Sequence, residues 1–309
     1  MKEDAMKVKV IVNPKSKHGD HKSILATLKA RLARSLVDIE QTAYPQHATE
    51  IARQIAKTGM DTVVVVGGDG TINEVLNGLV GTDTALGIIP TGTANDLACF
   101  SHIPTDVAGA CNTILERRIH RTDIICVNGR CYVTAGGVGL PCEVARVANT
   151  IKRSSAIGKR LGQILGSKLY ILAVFCALVQ KKVQRNFLSI QWSGGSLRVD
   201  PLWLMVDNQP FLGENFLMSP GALNDDGAFD ICLIEDLKSR MQILKLMMVV
   251  LKGRHVDSPS VKTWRTSELL IDAEKPLTFF GDGEIFQKVK TYRIQIFPSA
   301  LNVIVPKAI

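Results

Sequence analysis

The stretch "VVVVGGDGTINEVLNGL", residues 63–79, runs four valines into two glycines, an aspartate, a third glycine and a threonine. Residues 61–66, "DTVVVV", have no polar face within the valine run, as in a parallel strand covered on both sides. "TINEVLNGLV" then has helical spacing. Gly67, Gly68 and Gly70 thus stand between a buried strand and a helix. Glycine admits positive φ and lets a ligand approach the backbone. Thr71 and Glu74 have capping-box spacing, and a helix N-terminus there offers amides and a dipole to an anion. A tight turn would account for one glycine. Three at the carboxyl end of a strand, where open α/β sheets bind ligands, point to a binding loop.

The pattern recurs one strand later. "IIPTGTANDLA", residues 88–98, again reads strand, glycine turn, helix, and Thr93 and Asp96 repeat the capping-box spacing. Two helix N-termini at adjacent strand ends suit a polyphosphate. Asp69 among those amides would repel phosphate unless a cation lay between, which implies Mg²⁺ or a proton-transfer role. The sequence has no G-x-x-x-x-G-K-[ST] and no clean G-x-G-x-x-G, which argues against P-loop nucleotidases and Rossmann dehydrogenases.

Working outward, "KVKVIVNP" (7–14) reads as a strand ending at Pro14. Ile24, Leu25, Leu28 and Leu32 mark a helix, and "ATEIARQIAKTG" (48–59) another, stopped by Gly59. Strand–helix alternation predicts a parallel α/β domain over 1–121. From residue 122 the texture changes. Asn128-Gly129 and Gly194-Gly195 signal hairpins, short strands dominate, and an apolar helix covers 238–252. A mostly antiparallel β domain with inserted helices is expected over 122–295. A final segment, 296–309, is expected to return to the first domain.

Of the 309 residues 46% are hydrophobic, enough for sizeable cores. Lys and Arg exceed Asp and Glu by 37 to 29, a net +8, which favours an acidic partner. Aromatics at 6% without basic interleaving argue against nucleic acid. The seven cysteines form no Cys-x-x-Cys pair, so packing thiols in a reducing compartment are expected rather than a disulfide framework or zinc. The N-terminus lacks the apolar core of a signal peptide, and the apolar runs at 169–179 and 246–251 fall short of the about 20 residues that span a bilayer. A cytoplasmic protein, peripheral at most, is expected.

"NPKSKHG" (13–19), "GGDGTINEV" (67–75) and "PTGTANDLA" (90–98), in that order, resemble the diacylglycerol kinase catalytic family, which includes bacterial lipid kinases and the sphingosine and ceramide kinases. "LMSPGALNDDGAFDICLI" (217–234), "FGDGEI" (280–285) and "GSKLYILAVFCAL" (166–178) extend the resemblance over nearly the whole chain. The resemblance implies an NAD kinase-like α/β domain followed by a β-rich lipid domain, with ATP and Mg²⁺ as cofactors. It implies ATP contacts from Asn13, Pro14 and Thr42, phosphates wrapped by Gly67, Gly68, Asp69, Gly70, Thr71 and Asn73, and Thr93 beside them. It implies a metal at Asp226 with the carbonyls of Leu223 and Ala228. Glu284 matches the general base, with Asp282 beside it; the sphingosine kinase branch gives that task to the aspartate of the glycine loop, here Asp69. The sequence departs from the family where Lys17 and His18 precede Gly19, and where 213–219 lacks a glycine run.

Bottom-up chemistry agrees in kind. Phosphoryl transfer to an alcohol needs phosphate donors, a charge-offsetting cation and a carboxylate that accepts the hydroxyl proton. Asp282 and Glu284, two apart, would share one face of an extended segment; Asp282-Gly283 alone would read as a turn. "NDDG" (224–227) reads as a turn or as a carbonyl-rich site for a hard cation. His18 and His21 read as surface residues. The basic residues of 146–185 read equally as a solvated helix face or as a surface for transient contact with an anionic membrane. The expected function is an ATP- and Mg²⁺-dependent lipid kinase. The alternative is a kinase of a soluble substrate, as in NAD kinases. Which lipid is taken, and the oligomeric state, are left open.

Overall fold

The computed structural model describes residues 6–16, 21–154, 186–213, 216–235 and 239–307. It divides into two units, Met1–Ile124 with Pro298–Ile309, and Ile125–Phe297.

The first unit begins β1 (Val8–Val12), α1 (His21–Arg31), β2 (Leu36–Gln41), α2 (His47–Ala56), β3 (Thr62–Gly67), α3 (Asp69–Leu79), β4 (Ala85–Pro90), α4 (Asp96–Phe100) and α5 (Val107–Glu116). β5 (Ile119–Val127) carries the chain into the second unit, and β18 (Val289–Ile304) brings it back. The sheet runs β2-β1-β3-β4-β18, and the first four strands are parallel. Every residue of β3 and β4 is buried, because helices cover both faces. β18 adds parallel to β4 with Val303 opposite Leu86, and Gly81 N donates to Ala300 O at 2.8 Å. The order reverses between β1 and β3, so the carboxyl ends of these two strands form the switch point of the sheet.

In the second unit the chain continues β6 (Arg130–Tyr132), β7 (Ala135–Gly139), α6 (Leu140–Ser154), β8 (Leu188–Trp192), β9 (Gly195–Val199), β10 (Pro201–Asp207), β11 (Phe211–Leu212), β12 (Phe216–Leu217) and β13 (Phe229–Glu235). It ends α7 (Arg240–Val250), β14 (Val261–Thr266), β15 (Glu268–Leu277), β16 (Phe279–Gly281) and β17 (Glu284–Ile285) before β18. One sheet has the order β14-β13-β10-β7-β16-β17; the other joins β18-β15-β8-β9. Phe229, Leu204, Phe279 and Tyr292 are among the side chains buried in the core of this unit that holds residues of both sheets. A second core holds α6 and α7 on Trp203, Met205 and Cys232 of the six-stranded sheet. No helix among the described residues is long and apolar enough to cross a membrane. The apolar run at 169–179 and all of the basic stretch beyond Ser154 lie outside the described residues.

One cysteine expectation is corrected. Cys126 and Cys131 form a disulfide. The Asn128-Gly129 turn makes them direct cross-strand partners, with φ of 50° and 85° at its two corners. Cys111, Cys142 and Cys232 are free and buried, and burial pushes the Cys142 and Cys232 thiols up to about 12.

Candidate active site

The candidate residues fall into two groups, one in each unit. In the first unit the carboxyl ends of β1, β3 and β4 meet. Asn13 closes β1. Its Nδ2 donates to Thr71 Oγ1 at 2.9 Å, spanning the switch point, and its Oδ1 accepts from Lys15 N at 2.9 Å. Ser16 Oγ donates to Asn13 O, and Thr91 Oγ1 donates to Ser16 Oγ at 3.2 Å. Thr42 follows β2 and donates its amide to Val12 O at 2.9 Å. Pro14 and Thr93 are exposed, while Thr71 and Asn73 are buried. Asn77 Nδ2 donates to Asn73 O at 2.8 Å. His18 and Gly19 lie outside the described residues, and His21 Nε2 donates to Ser16 O at 3.0 Å.

The glycines serve close approach rather than positive φ. Gly68 has φ −100°, and Gly67 and Gly92 also lie outside the left-handed region. A Cβ on Gly68 would stand 2.8 Å from Gly92 Cα, and one on Gly92 would stand 2.6 Å from Gly68 Cα. The two loops therefore touch backbone to backbone, which only glycine permits. Asn95, in the left-handed region at φ 52°, braces that contact: its Oδ1 accepts from Gly92 N at 2.9 Å and its Nδ2 donates to Gly92 O at 3.0 Å.

The capping box expected between Thr71 and Glu74 does not form. α3 starts two residues earlier than Thr71, at Asp69 with Gly68 as cap, Gly68 O accepting from Thr71 N at 2.9 Å and Ile72 N at 3.0 Å, while Thr71 Oγ1 accepts from Asn13. Glu74 reaches instead to α2, accepting from Ala48 N at 3.2 Å. The N-terminus of α4 is capped by Asp69, which accepts from Asn95 N at 2.9 Å and from Asp96 N at 2.7 Å. The amides of that helix expected to face a phosphate thus hold a carboxylate. The carboxylate ties the two glycine loops together, a role its position in the sequence did not reveal.

In the second unit Asp282 and Glu284 do not share a strand face. Asp282-Gly283 is the turn between β16 and β17, with φ of 50° and 74°, and Gly281 pairs with Glu284 across it. Both corners have positive φ, the type I′ hairpin pattern. Asp282 is buried, and its carboxylate accepts from Thr134 N at 2.8 Å, Thr134 Oγ1 at 2.6 Å and Val133 N at 3.2 Å. Asn208 holds the same segment, donating to Val133 O and Thr134 O. Glu284 is half-buried, and no partner engages its carboxylate among the described residues.

Asp226 lies in the loop before β13. Its carboxylate pairs with the Arg265 guanidinium and accepts from Ala228 N at 3.2 Å. Leu223 is exposed, and Asp230 stands 3.6 Å from the same guanidinium. Among the described residues no three His, Cys, Asp or Glu converge on one point. One carboxylate with main-chain carbonyls is still an oxygen donor set of the kind hard cations take, with Arg265 as competitor for one oxygen.

Residues not anticipated hold that loop. Asp207, at the end of β10, is fully buried and accepts from Ser219 Oγ at 2.7 Å. Burial pushes its carboxyl well above the usual range, and Asp230, directly across the ladder, pushes the same way. Buried His255 meets Met218 O at 2.9 Å through Nε2, and burial lowers its pKa. "MVDNQ" (205–209) was the available signal: a buried strand running into three polar residues.

Comparison with known proteins matches residues 7–127 to the diacylglycerol kinase catalytic domain, and 139–305 to the YegS C-terminal NAD kinase beta sandwich-like domain. The chain is 28% identical over 296 residues to a diacylglycerol kinase of Staphylococcus haemolyticus, covering 89% of this chain and 81% of that one. It is 25% identical over 268 residues to a diacylglycerol kinase of Bacillus subtilis, covering 83% and 84%. A crystal structure of a diacylglycerol kinase from Bacillus anthracis strain Sterne superposes with a TM-score of 0.73 at 22% identity, covering 98% of each chain. A further structure from that strain reaches 0.81 at 24% identity over 99% of this chain and 97% of its own. These two show the fold.

Proposed function

The chain belongs to the diacylglycerol kinase catalytic family and is a lipid kinase at that level; from this premise we propose that it transfers the γ-phosphoryl group of ATP to the hydroxyl of diacylglycerol or a closely related lipid, with Mg²⁺. The observation that carries the reading is the pair of touching glycine loops at the carboxyl ends of β3 and β4, beside the switch point of a parallel sheet. Their bare backbone lets phosphate oxygens approach main-chain amides, with Asn13, Thr42, Thr71 and Thr93 around them.

The three carboxylates divide by environment. Asp69 and Asp282 are each held by backbone amides, so they set loop shape. Glu284 is the proposed acceptor of the hydroxyl proton, since its carboxylate has no partner among the described residues. Asp226, with the carbonyls of Leu223 and Ala228, is the proposed holder of a Mg²⁺ ion. Such an ion would neutralise carboxylate charge in the 220–228 loop and steady it. A substrate that resides in a bilayer calls for transient work at a membrane surface from the cytosol.

The test is incubation with γ-labelled ATP and Mg²⁺ against diacylglycerol in mixed micelles and, separately, NAD. Label in phosphatidic acid and none on NAD supports the reading. Label on NAD alone would turn it to a kinase of a soluble substrate on the same scaffold.

A further inference from the structure

Helix α7 buries one side and leaves the other apolar. Ile243 and Val250 are buried in the helix-bearing core of the second unit, with Leu246 packed against it. On the opposite side Met241 is 60% exposed, Met248 58% and Val249 37%. Met241, exposed Lys245 and Met248 stand at i, i+4 and i+7, one stripe of the helix. Three of the ten large apolar side chains most exposed among the described residues thus sit on one 11-residue helix. Exposed apolar residues scattered singly need no explanation, whereas a cluster on one face marks a contact.

The charge around the stripe selects the partner. From 238 to 256 the chain carries Lys238, Arg240, Lys245, Lys252 and Arg254 and no Asp or Glu. Lys245, Lys252 and Arg254 are exposed. A second copy docking by the same patch would set these cations against each other, so self-association is opposed. An anionic surface is matched. The helix is about 16 Å long at 1.5 Å per residue, too short to span a bilayer and long enough to lie along one. Methionine, flexible and polarisable, suits the irregular boundary between headgroups and acyl chains.

We propose that the outer face of α7, Met241, Lys245, Met248 and Val249 with Lys252 and Arg254 beyond, is the docking surface for an anionic lipid bilayer. The proposal rests on the lipid kinase reading, and adds which face meets the membrane. It is independent of the basic stretch beyond residue 154.

Co-sedimentation with phosphatidylcholine vesicles, with and without phosphatidylglycerol, tests it. Two double variants are compared with wild type: Met241→Ser with Met248→Ser, and Lys245→Glu with Lys252→Glu. All four positions are exposed, so unchanged melting is the folding control. Kinase activity is read in parallel on a short-chain diacylglycerol below its critical micelle concentration. The expected result is binding of wild type to anionic vesicles, a loss on the order of tenfold in each variant, and unchanged activity on the monomeric lipid. Equal vesicle binding by wild type and both variants overturns the proposal, as does no binding by wild type. A wild-type dimer in gel filtration that the Met pair dissolves, with vesicle binding intact, also overturns it and assigns the face to a second copy. Loss of vesicle binding in the variants, from a wild type that phosphorylates no diacylglycerol, upholds the face while sinking the kinase reading.

Discussion

Glu284 and Asp282 stand two residues apart and live in different chemistry. Asp282 fills a turn corner with its carboxylate held by the 133–134 segment; Glu284, at the start of β17, has no partner at its carboxylate among the described residues. Glu284→Gln is therefore expected to lower kcat by about 10²–10⁴-fold, the usual worth of a general base, with melting and ATP binding unchanged. Near-native turnover would move the proton acceptor elsewhere. Gly68→Val is expected to raise KM for ATP while leaving KM for lipid unchanged. The added Cβ would stand 2.8 Å from Gly92 Cα and force the two loops apart. An unaltered KM for ATP would sink the phosphate-loop assignment. At this scale the sequence flagged positions that the fold does constrain, for reasons other than those read from local spacing. Three glycines after four valines flagged the loop, but the constraint is a backbone contact made 24 residues away, between Gly68 and Gly92, which local spacing does not encode. Asp69 was legible as a carboxylate among amides; that the amides belong to α4, not to its own helix, depends on the tertiary fold.

The elements most readily read were those with strong local chemistry. β3 and β4 are apolar on both faces because helices cover them, and the Asn128-Gly129 and Asp282-Gly283 pairs enforce turns. β2 and α5 escaped, since "LVDIEQ" has a ragged burial pattern and the α5 start rests on an Asp106 cap, accepting from Gly109 N at 2.7 Å. The loop from Met218 to Ala228 carries two predictions. Asp207, which anchors it through Ser219, has its carboxyl raised by burial, so the folded state retains a proton that the unfolded chain releases. Its contribution is then full below the ordinary carboxylate range and falls as pH rises above it, by at most about 1.4 kcal/mol per pH unit until the folded pKa is passed. Asp207→Asn should flatten this fall, which urea melts across the range from pH 5 upward would read; parallel curves for both proteins would reject it. Asp226→Ala tests the proposed ion. Added Mg²⁺ should raise the melting temperature of wild type and EDTA lower it, because an ion that binds only the folded state stabilises it. The variant should respond to neither; equal responses make Asp226 a partner of Arg265 alone.

On the scale of the molecule, the chain leaves its first unit within β5 and re-enters it within β18. The re-entering segment pairs Val303 with Leu86, accepts at Ala300 O from Gly81, donates from Ser299 N to Asp123 at 2.7 Å and from Val305 N to Arg118 O at 2.9 Å. Ending the chain after Phe297 is expected to uncover the flank of β4 and buried Leu301, Val303 and Ile304 pockets, giving aggregation and loss of ATP binding. A soluble truncated protein with native ATP affinity would show that the last strand is dispensable. The same feature orders events on the ribosome. Residues 1–124 emerge first but lack the strand that flanks β4, and that strand is translated only after the whole of 125–297. Until residues 298–304 are made, a nascent chain therefore carries the glycine loops on a sheet whose β4 flank is open. If the glycine loops hold ATP as proposed, a translation product interrupted before residue 298 is expected to show no ATP-hydrolysing activity.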